Sequence, residues 1–156
     1  MRAPAAGRRL VLASASPRRL ELLGRFGLPV TVAATEVDET ARPGEDPVDL
    51  VRRLATAKAT AALATIHEAP TDTVDAVALV AADTVVVVDG EVLGKPVDAA
   101  DASAMLARLG GRTHLVVTGV AVARLDPADA AVPGGPAADD GSVAAGPAQS
   151  GVVDAE

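Results

Sequence analysis

At 156 residues, 49% hydrophobic and 22% charged, with a formal charge of −7, the chain is long enough for one domain with a real core and too acidic for general affinity toward nucleic acid or anionic lipid. It has no cysteine, tryptophan or tyrosine and one phenylalanine, Phe26; disulfides, thiolate metal sites, cysteine nucleophiles and base-stacking platforms are excluded, and the interior must be built from Val, Leu and Ala. Two histidines, His67 and His114, cannot make a histidine-rich zinc site. No apolar run reaches the ~18 residues of a membrane span and the basic start lacks a clean signal-peptide core, so a soluble cytoplasmic protein with no membrane partner is expected.

Arg8 to Ala13 reads as a short aliphatic strand that stops at Ser14-Ala15-Ser16-Pro17, where a hydroxyl residue before proline marks a helix start. The helix is expected to run from Pro17 to about Phe26, with Leu20, Leu23 and Phe26 as its apolar stripe and Gly27 as its end. Pro29 to Ala34 is a second strand, and Thr35 to Asp46 an exposed loop carrying Glu36, Asp38 and Glu39. Asp46-Pro47 opens a long helix to roughly His67 whose apolar positions, among them Val51, Leu54, Ala55, Ala62 and Ile66, recur at three- and four-residue spacing. Lys58 falls on that inward stripe, an unusual place for a lysine.

Ala76 to Ala82 is a near-continuous apolar run, followed by Asp83-Thr84 and by Val85 to Val88. Asp89-Gly90 is a two-residue hairpin turn returning through Glu91 to Leu93. Asp98 caps a helix to about Leu109, stopped at Gly110-Gly111, and Thr113 to Arg124 is the last strand, with Gly119 as a candidate bulge. Alternating strands and helices around one hairpin predict an α/β fold on a mixed sheet with flanking helices. Residues 8–125 form the expected domain, and residues 126–156, rich in Ala, Gly, Pro and Asp, a linker or disordered tail.

Ser14, Ser16, Arg18 and Arg19 gather hydroxyls, free backbone amides and two guanidinium groups at a strand-to-helix junction, which suits a phosphate group; an ordinary capped helix start would look the same. Asp83 at a strand end suits a ligand or a metal, or simply the satisfaction of nearby amides. Lys58 and Lys95 add two cations, the first without an acid at helical pairing distance, and Asp38-Glu39 offers a second carboxylate to a hard cation such as magnesium or manganese. Four cations and two carboxylates together suit a polyphosphate and its metal. His67 and His114 are assigned to no chemistry.

Seven ordered motifs carry a resemblance: Leu12 to Arg19 with Glu21-Leu22-Leu23, Asp38-Glu39-Thr40, Arg53-Leu54-Ala55 with Lys58-Ala59, Ala82 to Val86, Gly94-Lys95-Pro96, Gly111-Arg112 with His114, and Thr118-Gly119-Val120. From Leu10 to about Val122 the chain resembles the Maf family. The resemblance implies an inosine triphosphatase-like fold and a hydrolase that cuts nucleoside triphosphates between the α and β phosphates, releasing a nucleoside monophosphate and pyrophosphate, a house-cleaning activity. It also implies a divalent metal, Mg2+ or Mn2+, and a homodimer. Carried over, Ser14, Ser16, Arg18, Arg19 and Thr84 bind the triphosphate, Lys58 and Lys95 neutralise its charge, and Glu39 and Asp83 hold the metal, with Asp83 as the base that activates water. The Ala-Asp-Thr form of the acidic motif is similar to the branch acting on dTTP and UTP. Family members continue with a further strand and helix set and an Asp-Lys-Ala-Gly-Ala-Tyr-Gly-like motif that nothing here matches, so the fold is expected to be incomplete at its C-terminal end. A non-catalytic nucleotide-binding protein or regulator of septum formation is the alternative that this departure raises.

The acidity is unevenly placed. Residues 126–156 hold six of the 21 Asp and Glu and none of the 14 Lys and Arg, so the motif-bearing part is nearly neutral and compatible with an anionic substrate.

Overall fold

The computed structural model describes residues 8–27, 29–67, 76–125, 144–145 and 149–154. Among these residues three helices, α1 (Pro17–Gly24), α2 (Pro47–His67) and α3 (Ala99–Leu109), accompany a mixed sheet. In that sheet β1 (Arg8–Ala13) lies parallel between β2 (Val30–Val32) and β3 (Ala76–Val88). On its other side β3 runs antiparallel to β5 (Thr113–Leu125), and it turns at Asp89-Gly90 into β4 (Glu91–Leu93). Both turn residues have positive φ, 52° and 79°, the backbone that a two-residue hairpin requires.

The expected strands and helices form, with differences in detail. Asp83 and Thr84 do not end a strand: β3 continues through them in unbroken register with β5, from Val77 opposite Leu125 to Val87 opposite Leu115. Gly119 is no bulge, since it pairs regularly with Asp83. It is a point of contact, because a Cβ placed there would lie 2.5 Å from the Val51 carbonyl oxygen of α2. The first helix stops at Gly24 and closes in tight turns, Phe26 N–H to Leu23 C=O and Gly27 N–H to Gly24 C=O, with Gly27 at φ 68°. Within the segment read as linker or tail, Ala144–Ala145 (β6) and Gln149–Asp154 (β7) pair antiparallel along β5.

The core is aliphatic and made of small side chains. One face of the sheet, carrying Val11, Ala13, Val77, Leu79, Ala81, Ala121 and Ala123, packs against Ala55, Ala59 and Ala62 of α2. A second cluster of Val51, Val87 and Val117 extends it toward the hairpin. Alanines at the helix–sheet contact let the α2 backbone approach β5 closely, which is what Gly119 completes. The expected stripe on α1 is not a core contact: no residue of α1 is buried, and Phe26 is 73% exposed. No helix among the described residues is long and apolar enough to cross a membrane.

Candidate active site

The pleat of β3 sends alternate side chains to opposite faces. Val77, Leu79 and Ala81 are buried beneath α2, so Asp83, two residues further on, points to the α2 side. On α2, Lys58 stands three residues after the buried Ala55 and four before the buried Ala62, so it faces the sheet. The two meet: Lys58 Nζ donates to Asp83 Oδ1 at 2.6 Å. This supplies the acid that no helical neighbour of Lys58 provides.

The loop between β2 and α2 adds a second acid. Glu39 Oε1 lies 2.8 Å from Lys58 Nζ, and its Oε2 accepts from Lys95 Nζ in the segment after β4. Four side chains thus alternate in charge as Asp83, Lys58, Glu39 and Lys95. Burial pushes the Lys58 ammonium toward its neutral form, but its hydrogen bonds and charge contacts with Asp83 and Glu39 outweigh that and hold its pKa above the ordinary lysine value. Hydrogen bonds from Lys58 and Lys95 hold the Glu39 carboxyl below the usual glutamate value. Lys58 is therefore cationic and Glu39 anionic at neutral pH. Asp38 takes no part; it is exposed and bonded to Thr40 of its own loop, whose side chain first and amide second, the latter at 2.9 Å, lower its pKa.

Opposite this chain stands the β1–α1 junction. Ser16 is the N-cap of α1, with Pro17 in the first turn, and its hydroxyl accepts the Arg19 amide at 3.5 Å. Ser14 Oγ accepts the Ser16 amide at 3.2 Å. Arg19 folds back onto the sheet: its Nη1 donates to Ser14 Oγ at 3.1 Å and to the Ala82 carbonyl at 2.8 Å, and its Nη2 to Thr84 Oγ1 at 2.9 Å. Thr84, on the face of β3 opposite Asp83, is also 3.0 Å from Thr118 Oγ1. The Arg19 guanidinium consequently ties the start of α1 to β3.

A cavity of about 790 Å³ joins these groups, lined by the four charged residues together with Ser14, Ser16, Arg19 and Thr84. Arg18 is not among its walls; it is exposed and borders a neighbouring, more apolar hollow with Leu22, Leu23 and Val120. Of the nine candidate residues, eight line this cavity, and Arg18 lines the neighbouring hollow, which shares Ser16, Arg19 and Thr84 with it. His114 sits on β5 with Nδ1 3.3 Å from the Arg112 carbonyl, and the His67 side chain lies outside the described residues.

Among the described residues no group of three His, Cys, Asp or Glu converges as a metal site. Glu39 and Asp83 share Lys58 and offer hard oxygen donors, which fits an ion that takes its remaining ligands from phosphate oxygens and water. Two features carry no role from the sequence alone: Thr118, which braces Thr84, and the pairing of Arg53 on α2 with Glu45 of the loop that carries Glu39. The trace left by Arg53 is a charged side chain between the buried Leu50 and Leu54, on the flank of the inward stripe.

The family model for Maf-like proteins matches residues 9–135. A dTTP/UTP pyrophosphatase of Symbiobacterium thermophilum is 52% identical over 117 residues, covering 75% of this chain and 56% of that protein. The proteins of the same name from Hahella chejuensis and Methylococcus capsulatus are 51% identical over 115 residues and 50% identical over 118, covering 74% and 76% of this chain and 55% of each relative. The chain spans about half the length of the curated relatives it matches. A solved structure from Mycobacterium abscessus, titled as a nucleoside-triphosphatase / dITP/XTP pyrophosphatase, aligns with a TM-score of 0.44 and 21% identity over 73% of this chain and 64% of that one. On the extent of the family match and the level of identity to its relatives, the chain belongs to the Maf-like protein family.

Proposed function

We propose that this chain carries the phosphate-handling part of a nucleoside triphosphate pyrophosphatase. It would add water across the α–β phosphoanhydride of dTTP or UTP to give the nucleoside monophosphate and pyrophosphate. The observation that carries the reading is the Asp83–Lys58–Glu39–Lys95 chain facing the capped start of α1 across one cavity. Cleavage of a phosphoanhydride asks for cations near the oxygens where charge develops and for a carboxylate that orients or deprotonates water. Lys58 and Lys95 supply the first. Asp83, on the α2 side of the sheet, supplies the second.

The helix start supports the other end of the substrate. Ser14, Ser16 and the amide groups at the start of α1 suit phosphate oxygens. Arg19 would act chiefly by holding Ser14 and Thr84 in place. Glu39 and Asp83 would hold Mg2+ or Mn2+, whose contribution when bound is to neutralise charge on the phosphate oxygens. The names of the relatives, and the threonine following Asp83, support dTTP and UTP as substrates. Action as a homodimer in the cytoplasm, where free nucleoside triphosphates are made and used, belongs to the same reading.

The test is a nucleoside triphosphate panel with magnesium or manganese and a pyrophosphate assay. The expected result is release of pyrophosphate, greatest with dTTP and UTP, and its loss in Asp83→Asn. Turnover unchanged in Asp83→Asn overturns the assignment. Because the chain spans about half of its relatives, triphosphate binding without release of pyrophosphate would instead favour the non-catalytic, regulatory reading.

A further inference from the structure

Glu39 sits on a segment without helix or strand, residues 33–46, yet it reaches two lysines from different elements. Something must hold that loop in place. Its backbone is gathered by one side chain of α2: Arg53 Nη2 donates to the Thr40 carbonyl at 3.0 Å, next in sequence to Glu39. The same guanidinium grips Glu45 in a fork, Nε to Oε1 at 2.6 Å and Nη2 to Oε2 at 2.8 Å. Glu45 in turn accepts the Arg42 amide at 2.9 Å, and the Glu45 amide donates to the Arg42 carbonyl at 3.0 Å. Thr35, at the other end of the loop, donates to the Lys58 carbonyl at 3.3 Å.

We infer that Arg53 and Glu45 are positioning residues that set the place of Glu39, and through it of the Lys58 and Lys95 ammonium groups, by clamping the loop at Thr40 and Arg42 onto α2. Neither residue lines the cavity, so neither touches substrate there. The geometry favours a positional role over a general stabilising one, because a planar fork fixes both distance and orientation where a single ammonium would fix only distance. The Glu45 side chain is 9% exposed and that of Arg53 24%, so water competes little for the pair. The hydrogen bonds from Arg53 first and the Arg42 amide second hold the Glu45 carboxyl down at about 2, against the upward push of burial.

The kinetic consequence rests on the pyrophosphatase reading; the structural consequence does not. In the 156-residue chain, Arg53→Gln is expected to speed amide exchange at Arg42 and Glu45 at least about tenfold while the α2 amides of Ala59 and Ala62 keep their protection. The Glu39 carboxyl, followed by carbon NMR, is expected to titrate closer to its ordinary value. Arg53→Lys is expected to recover part of both effects. Glu45→Gln gives the same pattern from the other side, should Arg53→Gln not fold. In turnover, kcat is expected to fall roughly 10- to 100-fold with KM within about threefold, the pattern of a misplaced group in the cleft. Unchanged exchange at Arg42 and Glu45 together with an unchanged Glu39 titration overturns the clamp, as does a KM rise at constant kcat. A wild-type chain that neither binds nor cleaves any nucleoside triphosphate sinks the pyrophosphatase reading, and leaves exchange and titration to decide the clamp.

Discussion

Gly119 of β5 lies so close to Val51 of α2 that a single added carbon would sit 2.5 Å from the Val51 carbonyl oxygen and 2.9 Å from the Arg52 amide nitrogen. Both obstacles are helix backbone, which cannot swing aside as a side chain could. Gly119 is also the register partner of Asp83, so this tight approach of helix and sheet occurs beside the candidate site. Gly119→Ala is expected to destabilise the fold by about 1–3 kcal/mol, as overpacking does. Chemical denaturation followed by far-UV circular dichroism measures it, and a neutral result would show that α2 can lift away without cost.

The charge chain predicts a defined window of pH stability. Glu39 titrates below its unfolded value of 4.5, so its contribution is present above that value and is lost as pH falls through the lower folded pKa. Lys58 titrates above its unfolded 10.5, so its contribution is complete below that value and is lost as pH rises through the higher folded pKa. Lys58→Gln is expected to move the Glu39 titration upward and to narrow the stable range on both sides. A Glu39 titration that stays where it was would contradict the proximity of the two groups.

Arg18 and Arg19 are adjacent in sequence and different in environment. Arg19→Ala removes three hydrogen bonds from a charged donor, one of them to the Ala82 carbonyl, with an expected cost of about 1–3 kcal/mol. Arg18→Ala, at an exposed position, is expected to change stability by less than about 0.5 kcal/mol. Parallel urea titrations of the two variants separate them, and equal losses would contradict the tie between α1 and β3.

The centre of the core lies under α2 and away from the sole aromatic. Leu79, with no exposed surface, packs among alanines, and Leu79→Ala is expected to cost about 2–5 kcal/mol. Phe26→Ser, at 73% exposure, is expected to cost less than about 0.5 kcal/mol. A reversal of that order in thermal melts would mean that Phe26 is covered in solution.

Much of this arrangement is visible in the residues alone. Ser16-Pro17, Asp89-Gly90 and Asp98 mark their caps and turn through local hydrogen bonding and backbone preference, which need no tertiary information. The inward position of Lys58 follows from helical spacing, and the ordered motifs bring Glu39, Asp83 and Lys95 into the candidate set. What the residues did not disclose depends on distant neighbours. The stripe on α1 is apolar in sequence, yet none of its residues is buried among the described ones. Gly119 resembles a bulge until α2 is seen to cross it. Arg19 reads as a phosphate-binding cation, and its tie to β3 shows only when the Ala82 carbonyl and Thr84 arrive; Arg53 stands in a motif without a role until Glu45 turns back to meet it.

The unbroken run of β3 has a final consequence, for which changes of length the protein can tolerate. Asp83 and Thr84 are adjacent, yet one belongs with Lys58 and the other with Arg19, on opposite sides of a single strand. Removing or adding one residue between Val77 and Ala82 would exchange the two sides, turning the carboxylate toward Arg19 and the hydroxyl toward Lys58 while composition stayed almost the same. Substitutions along this strand alter the site by degrees, whereas a one-residue deletion inverts it. The spacing from Val77 to Asp83 is thus as much a part of the site as the carboxylate itself.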